Sequence, residues 1–365
     1  MASFYEPTAE HLERLQGPWC ASFSGGKDST SLVTWIEWMR RTGWITVERP
    51  QLVQSDTTVE YPQLQAISRD MMVLLRTCGW DCAVVEPRIN EKLYNRILGI
   101  GVSPIHPGVR SMRWCTRATK IDPMERWREK NSIGVTLTGL RLGESAMRDG
   151  KIKRKGCSAG GECGIPDPSD RTYSPILHWR TCHVIDWLCG HVRPIVADKM
   201  QDVFAITKRL ADIYDVQVDK DVFEWSDPVV TAARFGCIGC PAIQSKAHAP
   251  KAVSKRYGKE SPLNELYDVW FESRRRINRC FRSGQAKGKG KKDGYGPIKL
   301  EARKRMFDRI MDIQRRAGIV LVTPEDEAFI RKCWEDKVYP RGWSEADETV
   351  AAPIEHGLFD EGSGE

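Results

Sequence analysis

The seven residues Ser24-Gly25-Gly26-Lys27-Asp28-Ser29-Thr30 constrain this chain more than any others. They follow an apolar stretch, Trp19 to Phe23, that reads as a buried strand, and they open an apolar-periodic helix running to about Arg41. A strand, a double-glycine turn and a helix start make a cradle for an anion. The glycines let the backbone turn tightly and approach a ligand with no Cβ in the way. The first helical N–H groups lack internal acceptors and point at the same spot. Lys27 adds a point charge there, and Ser24, Ser29 and Thr30 add hydroxyls. The order differs from a Walker loop, which places four residues between its first glycine and Gly-Lys-Ser/Thr.

Val47 to Gln54, Cys82 to Val85 and Ile133 to Leu140 read as further strands. Helices are expected over about Pro62–Thr77, Thr181–Cys189 and Ala197–Tyr214. Strands alternating with helices predict a parallel α/β sheet covered on both faces, with ligands at the carboxyl ends of the strands. The loops at 24–30, 55–62 and 141–148 all begin at such ends. Gly143 to Thr172 is long, glycine-rich and polar, and reads as an insertion over the site. Past Asp227-Pro228 come helices, a basic linker from Gly284 to Gly296, and more helices at about 298–316 and 324–335. The expected division is an α/β domain over 1–195, carrying the insertion at about 143–172. A segment over 196–365 follows, with a cysteine pair and a basic, mainly helical C-terminal domain.

A chain of 365 residues has room for both. It has no 18-residue apolar run and no charged-then-apolar leader, so a cytoplasmic protein without a membrane partner is expected. Twelve cysteines then point to metal or sulfur chemistry rather than to a disulfide framework. The net charge of +7 is unevenly placed: Arg274 to Lys292 holds nine Lys/Arg and no Asp/Glu. Glycines interleave its lysines (Lys287-Gly288-Lys289-Gly290-Lys291), a pattern suited to tracking a nucleic-acid backbone without reading bases. The plainer alternative is a solvated helix face and linker.

Four further motifs carry chemistry. Ser55-Asp56-Thr57-Thr58-Val59-Glu60-Tyr61-Pro62 puts a carboxylate and hydroxyls where a nucleotide or its Mg²⁺ would lie. Gly139-Leu140-Arg141-Leu142-Gly143-Glu144-Ser145 with Arg148 brings two guanidinium groups to a strand end, suited to phosphate oxygens. In Arg113-Trp114-Cys115-Thr116, flanking Arg113, Arg117 and Lys120 favour a nucleophilic Cys115 thiolate, with a buried inert cysteine as the alternative. Cys237-Ile238-Gly239-Cys240-Pro241 is a chelating turn for iron–sulfur or zinc, and Cys157 and Cys163 in the insertion are candidates for the remaining ligands, with Cys115 competing.

In this order, with Tyr173-Ser174-Pro175-Ile176 and Arg234-Phe235-Gly236-Cys237 added, the motifs resemble the phosphoadenosine-phosphosulfate-reductase-like branch of the PP-loop ATP pyrophosphatases. Within it they are most similar to DNA phosphorothioation proteins of the DndC and SspD type. The resemblance runs from about residue 19 to 245. It implies an adenine-nucleotide α-hydrolase-like fold, ATP and Mg²⁺ as cofactors, and an iron–sulfur cluster of the 4Fe–4S kind. It also implies replacement of a non-bridging phosphate oxygen of DNA by sulfur, with a cysteine desulfurase as donor and other phosphorothioation proteins as partners. Carried onto this chain, Ser24, Gly25, Gly26, Lys27, Asp28, Ser29, Thr30 and Arg148 bind nucleotide, and Lys27, Asp28, Asp56, Cys115 and Arg141 serve catalysis. Cys237 and Cys240 ligate the cluster, and the insertion offers Cys157 and Cys163 for the remaining two positions. In DndC-type proteins the extra cluster cysteines lie shortly before the Arg-Phe-Gly-Cys segment, whereas Val218 to Ala233 has none here. The rival readings are a sulfonucleotide reductase or tRNA thiolase on the same fold, and a nucleotide-sensing DNA-binding protein with structural zinc.

Overall fold

Trp19–Phe23 forms strand β1 in the computed structural model, and all but one of its residues are buried. The structure describes residues 9, 10, 12, 13, 18–46, 48–104, 114–142, 172–191, 194–213, 237–241, 257, 258, 260–281 and 296–349. Helix α1 (Lys27–Arg41) follows β1, then β2 (Gln51–Ser55), α2 (Pro62–Thr77) and β3 (Cys82–Val85). After these come α3 (Asp122–Lys130), β4 (Val135–Leu137), β5 (Thr172–Tyr173), α4 (Thr181–Leu188), α5 (Pro194–Lys199) and α6 (Gln201–Ile213). The five strands make one all-parallel sheet in the order β3-β2-β1-β4-β5, the α/β architecture the sequence predicts. Strands covered on both faces run nearly continuously apolar, and β1, with Ser22 its one polar residue, does so because helices lie on each side of it. Ala21, Phe23, Leu52 and Leu137 pack with α1, α2, α4 and α6 on one face, and Cys20, Val53 and Ile133 pack with Met124 and Trp127 of α3 on the other.

Much of the tryptophan content is core. Trp35 lies 5.2 Å from Trp179 and Trp187 lies 5.6 Å from Phe204, both centroid to centroid, while the Trp187 indole donates to Thr34 Oγ1 at 2.8 Å. Arg41, in the last turn of α1, grips both carboxylate oxygens of Asp202 at 2.8 and 2.9 Å and so ties α1 to α6.

The element bounds differ from expectation where local chemistry is strong. β2 begins at Gln51 rather than Val47, since Pro50 has no N–H to give a ladder. The helix expected over Ala197–Tyr214 is two helices broken at fully buried Met200. β5 replaces the end of the expected insertion; at two residues it has no periodicity to detect. Otherwise the insertion lies outside the described residues.

The chain groups into two compact units. The first takes Met1–Asp56, Tyr61–Val85 and Met124–Phe235, so helices α5 and α6 belong with the sheet, beyond the expected boundary at residue 195. The second takes Thr57–Glu60, Glu86–Pro123 and Gly236–Glu365. Its described helices include α7 (Leu266–Ser273), α8 (Leu300–Ala317) and α9 (Pro324–Glu335). A π-helical segment, Asn95–Ile100, packs against α8 and α9. Its pin is Asp326, which accepts from Lys92 Nζ at 3.0 Å and Asn95 Nδ2 at 2.8 Å and closes the capping box with Thr323. Among the described residues no helix is long and apolar enough to cross a membrane. Asp326→Ala removes the acceptor of the Lys92 ammonium and of three other donors, Asn95 Nδ2 and the Thr323 amide and hydroxyl, so it should destabilise the protein by about 2–4 kcal/mol in urea titrations; a loss below about 0.5 kcal/mol contradicts the pin.

Candidate functional site

The C-terminal ends of β1, β2, β4 and β5 converge on the first turn of α1. At the end of β1 the chain passes through Ser24, then Gly25 at φ +67°, then Gly26 as the N-cap of α1 with no side chain capping it. Glycine is required at 25 twice over: the left-handed backbone suits it, and an added Cβ would lie 2.8 Å from Ser68 Cβ on α2. Ser68 is held by a 2.9 Å bond to Gln54, at the end of β2. Ser29 Oγ accepts from the Ser24 amide at 3.1 Å and lies 3.0 Å from Ser24 Oγ, closing the turn with hydroxyls.

β4 contributes Thr138, Gly139 and Arg141. Thr138 binds the neighbouring strand end twice, through its amide to the Tyr173 carbonyl and its hydroxyl to Ser174 Oγ, both at 2.8 Å. Gly139 then lies on the backbone of α1: a Cβ there would sit 2.8 Å from the Asp28 carbonyl carbon and from the Ser29 nitrogen. Arg141, 3 % exposed, donates from Nε to Asp28 Oδ1 at 2.6 Å and from Nη1 to the Trp179 carbonyl at 3.0 Å. The other oxygen of Asp28 faces Lys27 Nζ at 2.5 Å. Lys27, Asp28 and Arg141 are thus one buried ion cluster.

Burial by itself would raise the Asp28 pKa, but the charges and hydrogen bonds of Lys27 and Arg141 outweigh it and hold the carboxyl below its usual value. A depressed folded pKa adds stability above the unfolded value of about 4, lost as pH falls through the folded one. Asp56 stands just past β2, where its amide bonds the Val85 carbonyl at 2.9 Å and its carboxylate accepts from Gln65 at 3.4 Å. Thr30, the last residue of the loop, is buried in the first turn of α1. Arg148 lies outside the described residues.

The second unit holds Cys115, Cys237 and Cys240. Cys237 to Pro241 is a turn with Gly239 at φ +59°, closed by the Cys240 amide on the Cys237 carbonyl at 3.2 Å. Its other anchors are Ile238 N–H to the Val59 carbonyl at 2.8 Å and the Trp270 indole to the Gly239 carbonyl at 2.6 Å. The Val59 bond steadies a loop in which Thr58, a β-branched residue, is held at φ +64°. Burial pushes the Cys237 thiol up to about 12, helped by Cys240, Cys115 and Glu60 and opposed by Lys120. Cys115 therefore lies within electrostatic reach of the Cys-x-x-Cys pair, an association the sequence left open. The cations expected to activate Cys115 have carboxylate partners of their own: Arg117 pairs with Asp122 at 3.1 Å and Lys120 with Glu60 at 3.6 Å. Cys157, Cys163, Arg113 and the basic run from Arg282 to Lys292 lie outside the described residues. Among the described residues no three His, Cys, Asp or Glu converge closely enough to hold a metal ion.

Sequence reasoning missed Gln54, Ser68, Thr138 and Trp270. Each is an ordinary core or strand-end residue by pattern, and only the fold aims it at a loop.

No family model matches the chain, and no curated protein matches it in sequence. Among solved structures it is similar to phosphoadenylyl-sulfate (PAPS) reductase from Candida auris in its phosphate complex. That similarity covers 51% of this chain and 79% of the reductase, at 13% identity and a TM-score of 0.35.

Gly139→Ala should push β4 off the first turn of α1 and weaken binding of inorganic pyrophosphate, measured by calorimetry, about tenfold or more. Gly134→Ala, whose Cβ meets only the Pro18 carbonyl at 3.5 Å, should leave it unchanged. Equal losses in both variants contradict the cradle.

Proposed function

We propose that this chain is an ATP pyrophosphatase that activates a DNA backbone phosphate for replacement of a non-bridging oxygen by sulfur. The observation that carries the reading is the β1–α1 turn. There a glycine backbone, serine hydroxyls and a buried cation cluster face the end of a parallel sheet, where such folds bind phosphates. Lys27 and Arg141 carry two positive charges against the single negative charge of Asp28, so the cluster keeps a net charge of +1 for an anion.

The chemistry follows from those charges. An unactivated phosphate oxygen is a poor leaving group. Attack of a DNA phosphate oxygen on the α-phosphorus of ATP forms one P–O bond and breaks the α–β anhydride. Pyrophosphate leaves with the bonding pair, and the DNA phosphate is adenylated. A sulfur nucleophile then attacks the DNA phosphorus and AMP departs with the oxygen. Gly25, Gly26, Lys27, Ser29 and Thr30 hold the departing pyrophosphate and stabilise its growing charge. Asp28 orients Lys27 and Arg141, and Asp56 is assigned to Mg²⁺, which proteins usually hold with one or two carboxylates plus substrate phosphates. Arg148 is assigned to the nucleotide.

In this reading the thiols receive sulfane sulfur from a cysteine desulfurase, and a two-electron thiol reductant releases it as the sulfide that attacks phosphorus. Cys237 and Cys240, two thiols on one closed turn, are the donor type that a soft metal centre takes. Cys237 and Cys240 would hold an iron–sulfur cluster, with further ligands drawn from Cys115, Cys157 and Cys163. Such a cluster would supply sulfide or electrons. DNA is the expected polyanionic partner of the basic run, and other phosphorothioation proteins complete the system.

Lys27→Ala should reduce pyrophosphate release from ATP at least about 100-fold. Phosphorothioate linkages, read by mass spectrometry of nuclease-digested DNA, should disappear with it. Unchanged ATP turnover in the variant rejects the cradle, and sulfur found in tRNA rather than DNA moves the activity to a base carbonyl.

A further inference from the structure

Ile277 is 77 % exposed, more than any other large apolar side chain among the described residues. A single exposed isoleucine is ordinary on a protein surface, and what sets this one apart is how it is held. It occupies the middle of one 3₁₀ turn, Arg276–Asn278, shortly after α7. Buried Asn278 locks that turn. Its Nδ2 donates to the Glu272 carbonyl, its Oδ1 accepts from Arg305 Nη2 and its carbonyl accepts from the Lys299 amide, each at 2.9 Å. Buried Arg279 fixes the far side, donating from Nε to the Gly296 carbonyl at 2.8 Å and pairing with Ile298 in an antiparallel bridge. A turn tied in this way holds the isoleucine out in solvent.

Its neighbours are cationic. Arg275 and Arg305 are exposed, Arg276 is half-buried, and the Glu272 carboxylate is paired with Arg309. The turn also opens the stretch Arg274 to Lys292, which holds no Asp or Glu. A docking patch for an apolar partner would gather several apolar side chains. One isoleucine among guanidinium groups suits a polyanion with an apolar interior, and stacked base pairs between two rows of phosphates are such a target. We propose that Ile277 is a wedge that enters a base-pair step of duplex DNA from the minor groove, with Arg275 and Arg305 on the flanking phosphates. Arginine is drawn to the negative potential of that groove, and an apolar side chain inserted there partly unstacks the step and bends the duplex. The inference rests on DNA being the substrate and is independent of ATP cleavage.

The test is fluorescence anisotropy of the full chain on a short labelled duplex, either matched throughout or carrying one central mismatch. A mismatch lowers the cost of unstacking, so the parent should bind the mismatched duplex about three- to tenfold more tightly. So exposed a residue can be changed without disturbing the fold. Ile277→Leu should keep the preference. Ile277→Ala should bind both duplexes equally, with the parent's dependence on salt, since no phosphate contact is lost. Arg275→Ala should keep the preference but reduce the slope of log affinity against log salt by about one. A parent that binds both duplexes equally, or an Ile277→Ala variant that retains the preference, overturns the wedge and leaves DNA as the substrate. A parent that binds neither duplex overturns the wedge and the DNA reading together, and pyrophosphate release from the same preparation then shows whether ATP cleavage stands without them.

Discussion

Asp28 is the residue on which the arrangement at the end of β1 depends. Arg141 is almost wholly removed from water, and a buried guanidinium without a partner is strongly destabilising. Asp28 and the Trp179 carbonyl supply those partners, and in doing so they fasten the loop after β4 to the first turn of α1. Gly139 is the geometric consequence, since only a residue without a Cβ can lie that close to the backbone of Asp28 and Ser29. Lys27 is held by the same carboxylate. A single negative charge therefore organises two cations, two strand ends and a helix start into one surface, to which the proposed function assigns the binding of an anion. Preorganised charge of this kind would need little rearrangement in the proposed release of pyrophosphate.

How much of this was legible beforehand divides along physical lines. The β1–α1 turn was, because its signal is local: buried strand, two glycines and an amphipathic helix in succession. Helices α2 and α9 were legible to the residue, each opening at a proline in the first turn that marks its start. The pairing of Arg141 with Asp28 was not. The two lie 113 positions apart, and an arginine in a strand-end loop reads equally as a phosphate ligand or a counter-ion. β5 was hidden for the opposite reason, being too short to carry a pattern. The split of the chain also follows space rather than sequence: Glu86–Pro123, which lies between two sheet strands, belongs to the helical unit.

The thiols follow the same logic. Cys237 and Cys240 announce themselves by spacing, but Cys115 joins them only through the fold. Trp270 carries no motif at all, yet its indole bonds the Gly239 carbonyl and braces the turn. Residues around a functional turn are packed like any core, and a sequence pattern cannot tell support for a site from support for a fold.

The most direct measurement is calorimetric binding of an ATP analogue with a methylene bridge between its α and β phosphorus atoms, compared with adenosine. A surface built by Asp28, Lys27, Arg141 and the glycine turn should bind the analogue through its phosphates, so that adenosine binds at least about 100-fold more weakly. Equal affinity for the two would mean that the phosphates contribute nothing, and the cradle would have no role in binding nucleotide.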